Sequence, residues 1–165
     1  MTSVYCSITR TQLGFVGALY GAFGLRKLSF PNHTLSEVKH ELLLDVENAQ
    51  WSDHSSISLF RDLGLYLRGH PVTFCEQLDF GRVSKLNLDV WRVCLSINFG
   101  STRSYKWVAE KAGHRGAYRA VGHALSMNPI PILVPCHRVI GTDGRLRGYG
   151  GGLVLKSAFL KIERD

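Results

Sequence analysis

Apolar and polar residues alternate from the first positions of the chain. Val4, Cys6 and Ile8 stand two apart, the period of a strand with one buried face. Phe15–Tyr20 and Leu25–Phe30 extend the pattern, and Gly21 and Gly24 between them suit turns joining antiparallel strands. Residues 3–30 are thus expected to be strands, closed by Pro31. The period then lengthens. Thr34-Leu35-Ser36-Glu37 has the form of a capping box and predicts a helix running to about Asp45. Residues 48–55 read as a polar loop carrying Trp51. Leu59, Leu63 and Leu67 recur at helical spacing, with Gly69 placed to end that helix before Pro71. Val72-Thr73-Phe74 reads as a further strand.

The pattern changes near residue 81. Gly81-Arg82-Val83-Ser84-Lys85 looks like a linker, which divides the chain into an α/β domain over 1–80 and a helical domain over 86–165. Val90, Trp91, Cys94 and Leu95 mark one helix. Ser104 can cap a second, Tyr105–Ala112, closed by Gly113, and a third is expected from Gly116 to Met127. Two short helices joined by a glycine-containing turn form a helix-turn-helix, whose second helix meets DNA. That helix carries Ala117, Ala120, Gly122 and Ala124 around Tyr118 and Arg119. Small residues let a backbone approach a duplex closely, and one Arg on such a helix suits a groove-inserted wedge better than a reader of base edges. Ile132-Leu133-Val134 is expected to be a short buried strand leading to Pro135-Cys136-His137-Arg138-Val139. The glycine loop at 148–152 suits a pocket wall, and a last helix runs from Leu153 to Glu163.

At 165 residues the chain can bury a real core without staples. Its net charge of +7 is uneven: residues 1–100 hold 9 Lys and Arg against 9 Asp and Glu, whereas residues 101–165 hold 11 against 4. Such an excess is the footprint of a polyanion partner, nucleic acid above all. No apolar run could span a bilayer, no export signal is visible at the start, and the four scattered cysteines suit a reducing, cytoplasmic setting. The seven histidines form no ligand-spaced cluster, so no metal and no cofactor are expected.

The candidate chemistry centres on Cys136. A thiol near its free pKa of about 8.5 is only a few per cent ionised at neutral pH, and the thiolate is the nucleophile. His137 is a candidate base beside it, and Glu163 could reach back to orient that imidazole. Cys136 follows the small-residue helix after one short connection, so a nucleophile sits beside a DNA-insertion element.

Arg119-Ala120-Val121-Gly122, Asn128-Pro129, the run Ile132–Val139 and Gly148–Leu153 with Lys156 resemble the O6-alkylguanine-DNA alkyltransferases. The resemblance is strong over 99–163 and weak over 1–80. It implies a ribonuclease-H-like α/β domain before a winged helix-turn-helix-like domain, and a monomer that binds duplex DNA containing O6-alkylguanine through the minor groove. Arg119 would fill the gap left in the stack as the lesion rotates out. Cys136 would take the alkyl group irreversibly. Glu163, His137 and a water would remove the thiol proton, and Tyr105 would donate to guanine N3. Asn128 would brace the turn carrying the cysteine. Backbone groups near Cys136, Val139 and Gly150 would read the guanine, with Pro131 and Tyr149 shaping the pocket. A eukaryotic member would act in the nucleus. Two positions depart from the family pattern: Leu86-Asn87, where relatives usually have Phe-Gln, and Tyr118, where a small residue is common. The competing reading is a lesion-binding module without transfer, which would lack the reactive cysteine.

Overall fold

In the computed structural model, residues 4–44, 46, 48–52 and 56–164 are described. They form two compact units that meet in sequence between Gly81 and Arg82.

The first unit is built on the alternation at its start. Strands β1 (Val4–Thr11), β2 (Gly14–Gly21) and β3 (Gly24–Leu28) make an antiparallel meander, with Cys6 opposite Leu19 and Ala18 opposite Leu28. Half of the expected capping box forms: the Thr34 hydroxyl accepts from the Glu37 N–H at 3.3 Å, opening α1 (Leu35–Leu43), but the Glu37 carboxylate bonds that hydroxyl and the Thr34 N–H donates to Asn32 Oδ1 instead. Val38 and Leu42 of α1 bury against Cys6 and Leu19. Gly17 permits that approach, because a β-carbon there would collide with the Leu42 and Val38 side chains.

Two expectations fail here. Ala49–Trp51, read as loop, is a short strand β4 that pairs in parallel with β1, giving the order β3-β2-β1-β4. Three residues are too few to show a period, and the pairing partner lies over 40 residues away. Val72-Thr73-Phe74 is not a strand. The chain is anchored there by the Phe74 ring, 6.3 Å from that of Tyr66, and by the Leu25–Leu78 bridge further on. Helix α2 (Ile57–Leu67) buries Leu59, Leu63 and Leu67 as their spacing predicts, and Gly69 follows at φ +85°. Asp45, the expected end of α1, and residues 53–55 lie outside the described residues.

The second unit is mainly helical. Helix α3 (Lys85–Leu95) begins inside the span read as a linker: Ser84 caps it by accepting from the Asn87 N–H at 3.2 Å. The unusual Leu86-Asn87 pair therefore leaves the helix start intact. Trp91 is buried and its indole N–H donates to the Ala124 carbonyl at 2.8 Å, fixing α3 to α5 (Tyr118–Ser126). Ser104 caps α4 (Tyr105–Lys111) through the Trp107 N–H, and α4 and α5 form the helix-turn-helix pair. Helix α5 starts two residues later than expected because Gly116 adopts φ +83°. A two-residue strand β5 (Arg103–Ser104) pairs with β6 (Val139–Ile140), and α6 (Gly152–Ile162) closes the unit. Among the described residues no helix is long and apolar enough to cross a membrane.

Candidate active site

The buried strand expected at Ile132–Val134 is instead a tight, fully buried loop. Ile132 sits at φ +74°, a region a β-branched side chain rarely occupies. Asn128 over-determines the bend. Its Oδ1 accepts from the Ile130 N–H at 3.0 Å, and its Nδ2 donates to the Val134 carbonyl at 2.9 Å. The same Nδ2 lies 3.0 Å from the sulfur of Cys136. One side chain therefore shapes the turn and solvates the thiol, and the strain at Ile132 is the consequence of delivering Cys136 to it.

Cys136 opens a single 3-10 turn, Cys136–Arg138, and is 3% exposed. Burial raises its thiol pKa, while hydrogen bonds from Asn128 and Tyr149 and the charge of Lys156 pull it back down. The balance is upward, so the resting side chain is a neutral thiol that needs a base. His137 is wholly buried and its Nε2 lies 2.7 Å from Glu163 Oε1. Glu163 is also gripped by Arg138, whose Nε lies 2.9 Å from Oε2, and by the Gly100 N–H at 3.0 Å. Burial would raise the Glu163 pKa, but the hydrogen bonds and charges of His137 and Arg138 bring it down to about 2. Burial holds His137 below its usual value despite that carboxylate. The pair is thus a neutral imidazole donating from Nε2 to an ionised carboxylate, which makes Nδ1 the acceptor nitrogen. The Phe159 ring, 5.3 Å from the imidazole, packs that arrangement.

The same unit holds an open cavity of about 450 Å³. Helix α5 supplies one wall with Tyr118, Arg119, Gly122 and Ser126, and Tyr105 of α4 joins it. Arg147, Gly148, Tyr149 and Gly150 form the other. Cys136 does not itself line the cavity, but its thiol interacts with two residues that do, Tyr149 and Tyr105. Tyr118 is 43% exposed. A bare helix surface at Gly122, whose added β-carbon would first meet Tyr105 at 3.9 Å, leaves the slot open.

The expected residues thus divide. Asn128 is in hydrogen-bond reach of the Cys136 sulfur, and the neighbouring residue His137 is paired with Glu163. Tyr105, Tyr118, Arg119, Gly122 and Gly150 share the cavity. Ala117 caps α5 and Ala120 is exposed on it, neither lining the cavity. Pro131 is buried in the loop, and the Val139 backbone is engaged, its N–H with the Cys136 carbonyl and its carbonyl with Lys156. Two residues were not assigned roles from sequence. Arg138 fixes the carboxylate. Lys156, 1% exposed, donates to the Val139 carbonyl at 2.6 Å and weakly to that of Arg147 at 3.4 Å, tying the cysteine turn to the pocket wall. Burial lowers its pKa to about 8. A lysine between Leu155 and Phe159 on an apolar helix face was the available signal.

Comparison with known proteins agrees with this geometry. Residues 85–165 match the family described as 6-O-methylguanine DNA methyltransferase, DNA binding domain. A methylated-DNA–protein-cysteine methyltransferase of Methanosarcina barkeri is 51% identical over 169 residues, covering 98% of both chains. One from Mycolicibacterium paratuberculosis is 51% identical over 102 residues, and that match spans 61% of the relative's length. Among solved structures, Mycobacterium tuberculosis OGT in complex with DNA superposes with a TM-score of 0.79 at 33% identity, over 97% of this chain and 92% of that one.

Proposed function

The chain belongs to the methylated-DNA–protein-cysteine methyltransferase family, and from that premise we propose that it reverses O6-alkylguanine damage in duplex DNA by taking the alkyl group onto Cys136. Helix α5 enters the minor groove. Arg119 occupies the space in the stack, and the lesion turns out into the cavity. The thiol gives its proton through one water to Nδ1 of His137, whose imidazolium the Glu163 carboxylate stabilises. A sulfur–carbon bond then forms as the carbon–O6 bond breaks, and the electron pair leaves with the purine. Tyr105 donates a hydrogen bond to guanine N3, which spreads the developing charge. Its hydroxyl is held only weakly at rest, 3.4 Å from the Gly148 carbonyl, so exchanging partners is easy. The thioether is stable, so each molecule acts once, as a monomer and with no cofactor. All four cysteines are free thiols, which suits action in the cytoplasm.

The observation that carries this reading is the sulfur itself. It is buried close to two tyrosines that line a cavity rimmed by arginine, solvated by Asn128 and backed by an ionised carboxylate–imidazole pair. The test is transfer of a labelled methyl from duplex O6-methylguanine to protein, with guanine recovered in the DNA. Cys136→Ala must abolish both. Tight lesion binding by unlabelled wild-type protein would replace this reading with a lesion-binding module.

A further inference from the structure

One cation at the cavity has no part in the account above. Arg147 lines the wall facing the pocket, in the same cavity as Arg119 and Tyr105. Its backbone makes one weak contact, from Lys156 to its carbonyl at 3.4 Å, and Tyr105 reaches the next carbonyl, that of Gly148, at the same distance. Its guanidinium is loosely held too. Nη2 reaches Asp143 at 2.8 Å, but the two side chains are 54% and 42% exposed. Such a pair is worth roughly 0–1 kcal/mol in water. Asp143 is also shared with Arg145 at 3.7 Å, so one carboxylate faces two guanidiniums and the rim keeps a net positive charge. Tyr105 lies within the field of Arg147. Burial raises the phenol's pKa, and the Arg147 charge opposes that rise.

A nucleotide turned into this cavity brings its base inward and leaves its two flanking phosphates at the mouth. We propose that Arg147 is a phosphate-binding residue: it releases Asp143 and takes a phosphodiester oxygen beside the extruded nucleotide, while Arg119 holds the stack. This rests on the DNA-repair reading above. A bidentate guanidinium–phosphate contact is stronger than the exposed ion pair it replaces, because the planar fork matches two oxygens. Asp143 thus acts as a placeholder that keeps Arg147 extended along the rim until DNA arrives.

The test couples protein and DNA changes. Transfer rates are measured for wild type, Arg147→Gln and Arg147→Lys on a duplex with one O6-methylguanine. Each flanking phosphate is replaced in turn by a neutral methylphosphonate. For one of the two phosphates, neutralisation should slow wild type about tenfold, Arg147→Gln should lose a similar factor, and the two together should lose no more than either. Arg147→Lys should recover part of the rate. In a Cys136→Ala background, Arg147→Gln should flatten the salt dependence of duplex binding, lowering the slope of log K against log salt by about 0.9. Multiplicative losses at both phosphates, an unchanged slope, or a lysine variant as slow as the glutamine one would overturn the proposal. A wild type that transfers nothing would sink the repair reading instead, and the salt slope would still decide the phosphate contact.

Discussion

The two units bury polar groups of opposite character. Up to Gly81, the buried polar side chains among the described residues are Ser7, Ser29 and Ser56. All are neutral, and all serve the backbone or each other: Ser29 accepts from the Gly17 N–H at 2.8 Å, and Ser7 donates to Ser56. Beyond Arg82 they are Asn128, His137, Lys156 and Glu163, and three of these can carry charge. The surfaces differ in the same direction, with 6 Lys and Arg against 8 Asp and Glu up to Gly81, and 14 against 5 beyond it. Burying a hydroxyl is tolerable once it is bonded. Burying a carboxylate or an ammonium is expensive even when it is paired. The second unit therefore carries a stability penalty that folding alone does not require, and every member of that set touches the cysteine turn or a neighbour of it.

The contrast can be broken most sharply at Glu163. Glu163→Ala strands Arg138 and His137 and should destabilise the second unit by about 3–5 kcal/mol, read by urea unfolding. With its folded pKa near 2 and the ordinary value at 4.5, Glu163 stabilises above about pH 4.5, and that contribution is lost as pH falls toward 2. The stability gap between wild type and Glu163→Gln should accordingly close over that window. A gap constant from pH 5 to pH 2 would contradict the ionised assignment. Asn128→Ala removes two bonds that hold the strained loop and one to the sulfur. It should cost about 2–3 kcal/mol by the same measure and slow transfer as well. Arg119→Ala should leave stability within about 0.5 kcal/mol, since the side chain is exposed, yet slow repair of duplex DNA about 30-fold through the lost stack filler. Smallest is Thr34→Ala in the first unit, about 1 kcal/mol from the lost cap, with no change in transfer rate. A transfer defect in that variant would mean that the units do not divide the work as described.

What was legible before folding follows the same division. Period-two alternation at Val4, Cys6 and Ile8 and the cap at Thr34 are local signals, and they appeared where expected. Strand β4 and the unpaired segment at Val72–Phe74 depend on partners elsewhere in the chain, so three-residue windows misled in both directions. At the site, Cys136 and His137 were visible as chemistry-bearing neighbours in one specific motif, whereas Glu163 was only a distant carboxylate that could reach back to the imidazole. The apolar run Ile132–Val134 looked like a strand because hydrophobicity reports burial and not φ. The bend is set by the Asn128 bonds together with the backbone bond from the Val134 N–H to the Ile130 carbonyl. Arg138 and Lys156 escaped because a cation's partner is set by tertiary geometry, and nothing local announces that its charge is turned inward.

Resolving all four cysteines by mass spectrometry after one exposure to duplex O6-methylguanine tests the central claim most directly. Cys75 is exposed, Cys6 and Cys94 are buried in apolar surroundings that raise their thiols, and Cys136 is buried but served by a base. One methylene per chain at Cys136, with the other three unchanged, is the predicted result. Methylation of Cys75, or of none, would contradict it.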